Sequence, residues 1–257
     1  MATVPTLPLL VLVDDAPEIG VIVKHLGVRA GQDVRVYEDV AGAWDFLTRA
    51  RPDLLIVDLN LSGENGLVLC RRVRATPAFT QLAVALFTNW DRPEDVIAGL
   101  EAGVNFMLSK ELLCRPENWQ ARIQELLLPV DSRPYQQSLS WTEETFAEAQ
   151  PAAWTEALNT TLRAHVVRRL GPEISQVLLR RALAKLVPDN LIGTLAPTGL
   201  SLDPGLPGRR HSPELIARIA LALAEQLWCV GGSAASAPFA AALASAIPAL
   251  ASLLEQP

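Results

Sequence analysis

Five polar side chains stand where apolar runs end. Asp14 and Asp15 follow Leu9–Val13, Asp58 follows Leu54–Val57, Thr88 closes Leu82–Thr88, and Lys110 follows Phe106–Ser109. Three carboxylates brought close together repel one another unless a cation compensates. A cage of hard oxygens suits Mg²⁺, which takes few protein ligands and keeps waters that a phosphate can replace. Such an ion bridges a nucleophilic carboxylate and the oxygens of an incoming phosphoryl group. Lysine adds a point positive charge on the other side, and a threonine hydroxyl can hydrogen-bond a phosphoryl oxygen. A carboxylate that accepts a phosphoryl group is ordinary covalent chemistry. The chemistry these residues suit is phosphoryl transfer onto Asp58. Singly, each has a plainer reading: Asp15 as the N-cap of the helix that Pro17 opens, Lys110 as a solvated surface lysine.

The elements that must position them can be read from the pattern. Leu54–Val57 is apolar without alternation, as in a strand covered on both faces of a parallel sheet. Leu9–Val13, Asp33–Tyr37, Leu82–Thr88 and Phe106–Ser109 read as further strands. Helices fall between them. One opens at Pro17, with Ile19, Ile22, Val23 and Leu26 as its apolar face. Others carry Val40, Trp44 and Leu47, run from about Gly66 to Arg74, open at Pro93, and open at Pro116 with Trp119, Ile123, Leu126 and Leu127. Five β/α units joined by short right-handed crossovers predict an α/β fold, a doubly wound five-stranded parallel sheet. In such a sheet the carboxyl ends of the strands converge on one crevice.

Residues 7–128 resemble the receiver domain of bacterial two-component response regulators, a flavodoxin-like fold. The resemblance rests on Asp14-Asp15, the aspartate of DLNLSGENG, the threonine of ALFTN and the lysine of MLSK. It implies Asp58 as phosphoacceptor, and Asp15 and Asp58 as Mg²⁺ ligands with the Asn60 backbone carbonyl. It implies Asp14 as a supporting acid behind them, Thr88 as the switch hydroxyl and Lys110 as the phosphate contact. The donor would be a phosphohistidine on a sensor histidine kinase or phosphotransfer protein. Three positions depart from the family pattern: Ser62 where proline is usual, Glu111 in place of a proline after Lys110, and Met107 where the fifth strand usually has an aromatic residue.

The resemblance implies a signalling protein that is not an enzyme beyond, at most, its own phosphorylation and dephosphorylation. The 257 residues suffice for two small domains, and half are hydrophobic. A net charge of −6 without long runs of one sign disfavours a general nucleic-acid binder. Cys70, Cys114 and Cys229 form no CxxC pair, which fits a reducing, cytoplasmic setting. The domains expected are a receiver over 1–128, a linker over 129–139 containing Pro129 and Pro134, and an all-helical output or interaction domain over 140–257.

In that second half, Ser140 and Glu143 suggest a capping box, and Pro151 opens a helix with Trp154, Leu158, Leu162 and Val166. Leu170-Gly171-Pro172 marks a break, after which Ile174, Leu178, Ala182 and Leu186 stripe the next helix. Residues 188–210 read as an extended loop, and Ser212-Pro213-Glu214 as a helix start. From Gln226 to Leu254 no residue is charged. Phe239, Leu243, Ile247, Leu250 and Leu254 nevertheless recur on one helical face, which predicts core or a self-association surface instead of a membrane span. No strand pattern appears.

The expected output is therefore protein contact, with a downstream partner or with a second copy of the chain. Arg163, Arg168, Arg169, Arg180, Arg181, Lys185, Arg209 and Arg210 offer a basic face for DNA, but without helix-turn-helix spacing. His165 is a weaker candidate for phosphotransfer, since Arg169 stands where access to the imidazole calls for glycine.

Overall fold

A computed structural model describes residues 7–89, 92–129, 133–135, 146, 149–186, 193–196, 199–202 and 212–254. The chain divides into two compact units, residues 1–128 and 129–257.

The first unit alternates strand and helix: β1 (Leu9–Val13), α1 (Pro17–Arg29), β2 (Asp33–Tyr37), α2 (Val40–Arg49), β3 (Leu54–Asp58), α3 (Leu67–Arg74), β4 (Ala83–Thr88), α4 (Pro93–Glu101), β5 (Phe106–Ser109) and α5 (Pro116–Leu126). The sheet order is β2-β1-β3-β4-β5 and every pairing is parallel. This is the doubly wound, flavodoxin-like arrangement, with the order of strands reversing beside β1. All of β3 and β4 is buried, which is why their sequences show no alternation.

One helix face differs from expectation. The buried side of α1 runs through Gly20, Val23, Leu26 and Gly27, while Ile22 is 40% exposed. The two glycines let α1 lie close on Val34 and Val36 of β2, and that contact turns Ile22 outward. Trp44 is likewise only half-buried; its ring meets the edge of Phe79 and carries the Arg72 guanidinium over its face.

The second unit is mostly helical. It contains α6 (Pro151–Leu162), a π-turn (Arg163–Val167), α7 (Arg168–Leu186), α8 (Pro213–Gly231), α9 (Ser233–Ala246) and the short α10 (Ala251–Leu254). Ser212 caps α8 as expected, its Oγ accepting the Leu215 N–H at 3.1 Å. Gly171 has φ +80° and ψ 165°, a conformation natural to glycine, and breaks α7 immediately before Pro172. The uncharged Gln226–Leu254 stretch is interrupted at Gly232, and Phe239, Leu243, Ile247, Leu250 and Leu254 are all at most 2% exposed. Among the described residues no helix is long and apolar enough to cross a membrane.

The region read as an extended loop contains an antiparallel hairpin, β6 (Gly193–Ala196) with β7 (Gly199–Leu202). Four-residue strands bounded by glycine are too short for a period of two to register in sequence. The Ser140–Glu143 capping box and Arg209–Arg210 lie outside the described residues.

Candidate functional site

Parallel pairing carries the five polar residues to one edge of the sheet. Val13 stands opposite Val57, so Asp14 leaves β1 beside Asp58, the last residue of β3. Asp58 is level with Phe87, one residue before Thr88, and Thr88 is level with Ser109, one residue before Lys110. The carboxylates of Asp14, Asp15 and Asp58 each offer one oxygen within 4.8 Å of the other two.

Lys110 Nζ bridges two of these acids. It lies 2.8 Å from Asp14 Oδ2 and 3.0 Å from Asp58 Oδ2, with the lysine side chain only 20% exposed. The solvated-lysine reading is therefore excluded. Nζ also sits 5.3 Å from the centre of the Phe87 ring. Burial acts to lower the Lys110 pKa, but the two carboxylates together outweigh it and raise it. Burial pushes the Asp58 carboxyl up, Asp14 adds to the rise, and Lys110 opposes both.

Asp14 is buried. Its Oδ1 accepts the Ala16 N–H at 3.0 Å, and its Oδ2 pairs with the Lys110 ammonium at 2.8 Å. Asp15 does not cap α1: the cap residue is Ala16, without a side-chain bond. The Asp15 carboxylate turns instead to Ser62, whose N–H donates to Oδ2 at 2.9 Å and whose hydroxyl donates to the same oxygen. The Ser62 hydroxyl, followed by its amide, holds the Asp15 carboxyl below the usual range.

The loop between β3 and α3 is ordered as a small ladder, Asn60–Leu61 against Glu64–Asn65, with Gly63 at its tip. The Glu64 carboxylate also accepts the Val40 N–H at 3.3 Å, fixing the ladder to the start of α2. Behind it, a Cβ on Gly66 would come 1.9 Å from the Asp58 carbonyl oxygen. Only glycine lets α3 begin so close to the end of β3.

A cleft of about 320 Å³ opens at this edge, lined by Asp58, Asn60, Thr88, Asn89, Arg92, Asp95 and Lys110. Asn89, Arg92 and Asp95 were not expected here. Their signal was position alone, since they follow β4 on the side of the sheet where the site lies. The sequence marks Ser62 only as a departure from proline. His165, by contrast, is a half-exposed residue of the π-turn in the second unit. Arg181 donates to the Gln226 side chain and Lys185 pairs with the buried Glu225, so these two cations of the supposed basic face bind α7 to α8.

A family model described as the response regulator receiver domain matches residues 10–124. A chemotaxis protein CheY homolog of Campylobacter jejuni is 32% identical over 120 residues, 46% of this chain and 91% of that protein. The chain belongs to the response regulators. Chemotaxis protein CheY1 of Helicobacter pylori is 35% identical over 103 residues, 39% of this chain and 83% of its own length. The DNA-binding response regulator MtrA of Mycolicibacterium smegmatis is 29% identical over 125 residues, 49% of this chain and 53% of its own. The receiver domain lies in the first unit, and the helices of the second lie beyond the residues the family model matches.

Proposed function

We propose that this response regulator is phosphorylated on Asp58 and signals through protein contacts made by its helical unit. The receiver spans residues 1–128, and residues 140–257 are the output. The observation that carries this reading is the Lys110 ammonium held between Asp14 and Asp58 at the carboxyl edge of the sheet.

The donor is a phosphohistidine on a partner kinase or phosphotransfer protein. An Asp58 carboxylate oxygen bonds to phosphorus as the phosphorus–nitrogen bond breaks. The imidazole nitrogen keeps the electron pair and takes up a proton. Lys110 follows the charge onto a phosphoryl oxygen, and the Thr88 hydroxyl donates to another. The cleft beside Asn89 and Arg92 has room for the group.

The donor set fits Mg²⁺: three hard carboxylate oxygens lie within 4.8 Å of one another. Asp15, Asp58 and the Asn60 carbonyl would hold it, with Asp14 behind them. Mg²⁺ bound there supplies positive charge that neutralises the phosphoryl oxygens during transfer.

Acetyl phosphate or phosphoramidate with Mg²⁺ tests the assignment. The intact mass should rise by one phosphoryl group, and Asp58→Asn should abolish the rise. Label retained in that variant, or label without Mg²⁺, would overturn the reading. The native particle mass with and without the phosphoryl group tests the output: a shift supports signalling through assembly or partner exchange, and an unchanged particle identifies a constitutive adaptor.

A further inference from the structure

We infer that Ser62 is a positioning residue for divalent-cation binding, aiming Asp15 and tying it to the backbone that carries Asn60. The inference rests on the proposed Mg²⁺ site and names a residue with no role in it so far.

Ser62 delivers two donors to one acceptor. Its N–H reaches Asp15 Oδ2 at 2.9 Å, and its hydroxyl reaches the same atom. Neither bond uses Oδ1, so Ser62 itself leaves that oxygen to a cation. Hydrogen bonds to a ligand's second oxygen fix its orientation, and losing such a partner commonly weakens metal affinity about 10- to 100-fold.

The placement of Ser62 extends the effect. It directly follows the Asn60–Leu61 strand of the ladder, and Asn65 pairs back on Asn60. The ladder is anchored a second time by Glu64 on the N–H of Val40. One serine thus links two of the proposed ligands, the Asp15 carboxylate and the Asn60 carbonyl, which arise from loops 45 positions apart in the chain. A proline at position 62 has neither an N–H nor a hydroxyl, so it could make neither bond. The two donors are a consequence of having serine there.

The full-length chain can be titrated with Mg²⁺ by calorimetry, alongside S62T, S62A and S62P. S62T keeps both donors and should bind as the parent does. S62A keeps only the amide and should bind more weakly. S62P loses both, and its Kd should rise about 10-fold or more. The unfolding midpoint without metal should stay nearly constant from the parent to S62A, because the bonds lie at an exposed loop. Equal Kd values across the series would overturn the inference, as would tighter binding in S62A, which would mean the serine competes with the cation. A lowered metal-free midpoint in S62A with unchanged Kd would also overturn it, leaving the serine a loop brace. Should S62P not fold, the S62A–S62T pair decides. A parent chain that takes up no Mg²⁺ would remove the metal site itself, and this inference with it.

Discussion

At the scale of single residues, the site is a problem in charge balance. Asp14 and Asp58 are buried side by side, and one ammonium serves both. The folded Asp58 carboxyl lies above its ordinary value, chiefly because of burial. Ionising it therefore works against the fold. This cost is absent below the unfolded carboxylate pKa of about 4 and grows as pH rises through the window above it. Asp58→Asn should raise the melting temperature at neutral pH without Mg²⁺, with the gain vanishing near pH 4. Thermal melts across pH check this. A gain that persisted unchanged at low pH would show that charge is not its source. Ser62 belongs to the same balance, because its two donors hold the Asp15 carboxyl below its ordinary value.

At the scale of elements, the site depends on how tightly α3 follows β3. Gly66 has φ −57° and ψ −20°, a conformation open to any residue. Its need for glycine is purely one of space, set by the Asp58 carbonyl. Gly66→Ala should therefore cost about 3 kcal/mol, at the high end for overpacking. It should also slow phosphorylation of whatever folded protein remains, because the backbone of Asp58 must shift. Chemical denaturation and small-molecule phosphorylation rates measure the two effects separately.

Elements were also where the sequence was most and least informative. β3 and β4 were plain because complete burial leaves unbroken apolar runs, and Ser212 and Pro213 announced α8. The apolar pattern puts Ile22 on the buried face of α1 because glycine carries no hydrophobic signal, although Gly20 and Gly27 make the contact. The β6–β7 hairpin was too short to show a period. The bond from Ser62 to Asp15 joins residues 47 apart, and no local pattern reports a pairing at that range. Asp14, Asp15, Asp58, Thr88 and Lys110 are legible because each falls at or just after the end of a strand, where parallel topology converts sequence order into proximity.

At the scale of the whole molecule, the two units hold different kinds of information. Every candidate site residue lies within residues 1–128, together with the whole five-stranded sheet. Expressed alone, this segment should fold cooperatively and accept the phosphoryl group with Mg²⁺ at close to the parent rate. Circular dichroism and phosphorylation kinetics on the fragment test this. A fragment that fails to fold, or that loses label by more than about tenfold, would mean the helical unit contributes to the site. The helical unit has its own apolar core around α8 and α9 and its own polar tie, Lys185 with Glu225.

The ring of Phe87 is in contact with both the Lys110 ammonium, 5.3 Å from its centre, and Trp119, whose ring lies 5.7 Å away in a T-shaped contact and is 1% exposed. That indole is shielded from bulk water and shares Phe87 as a neighbour with the lysine of the acidic edge. Its emission should therefore respond when the acidic edge is occupied. With its other indoles replaced by phenylalanine, the emission of Trp119 would follow cation and phosphoryl uptake in real time without an attached dye.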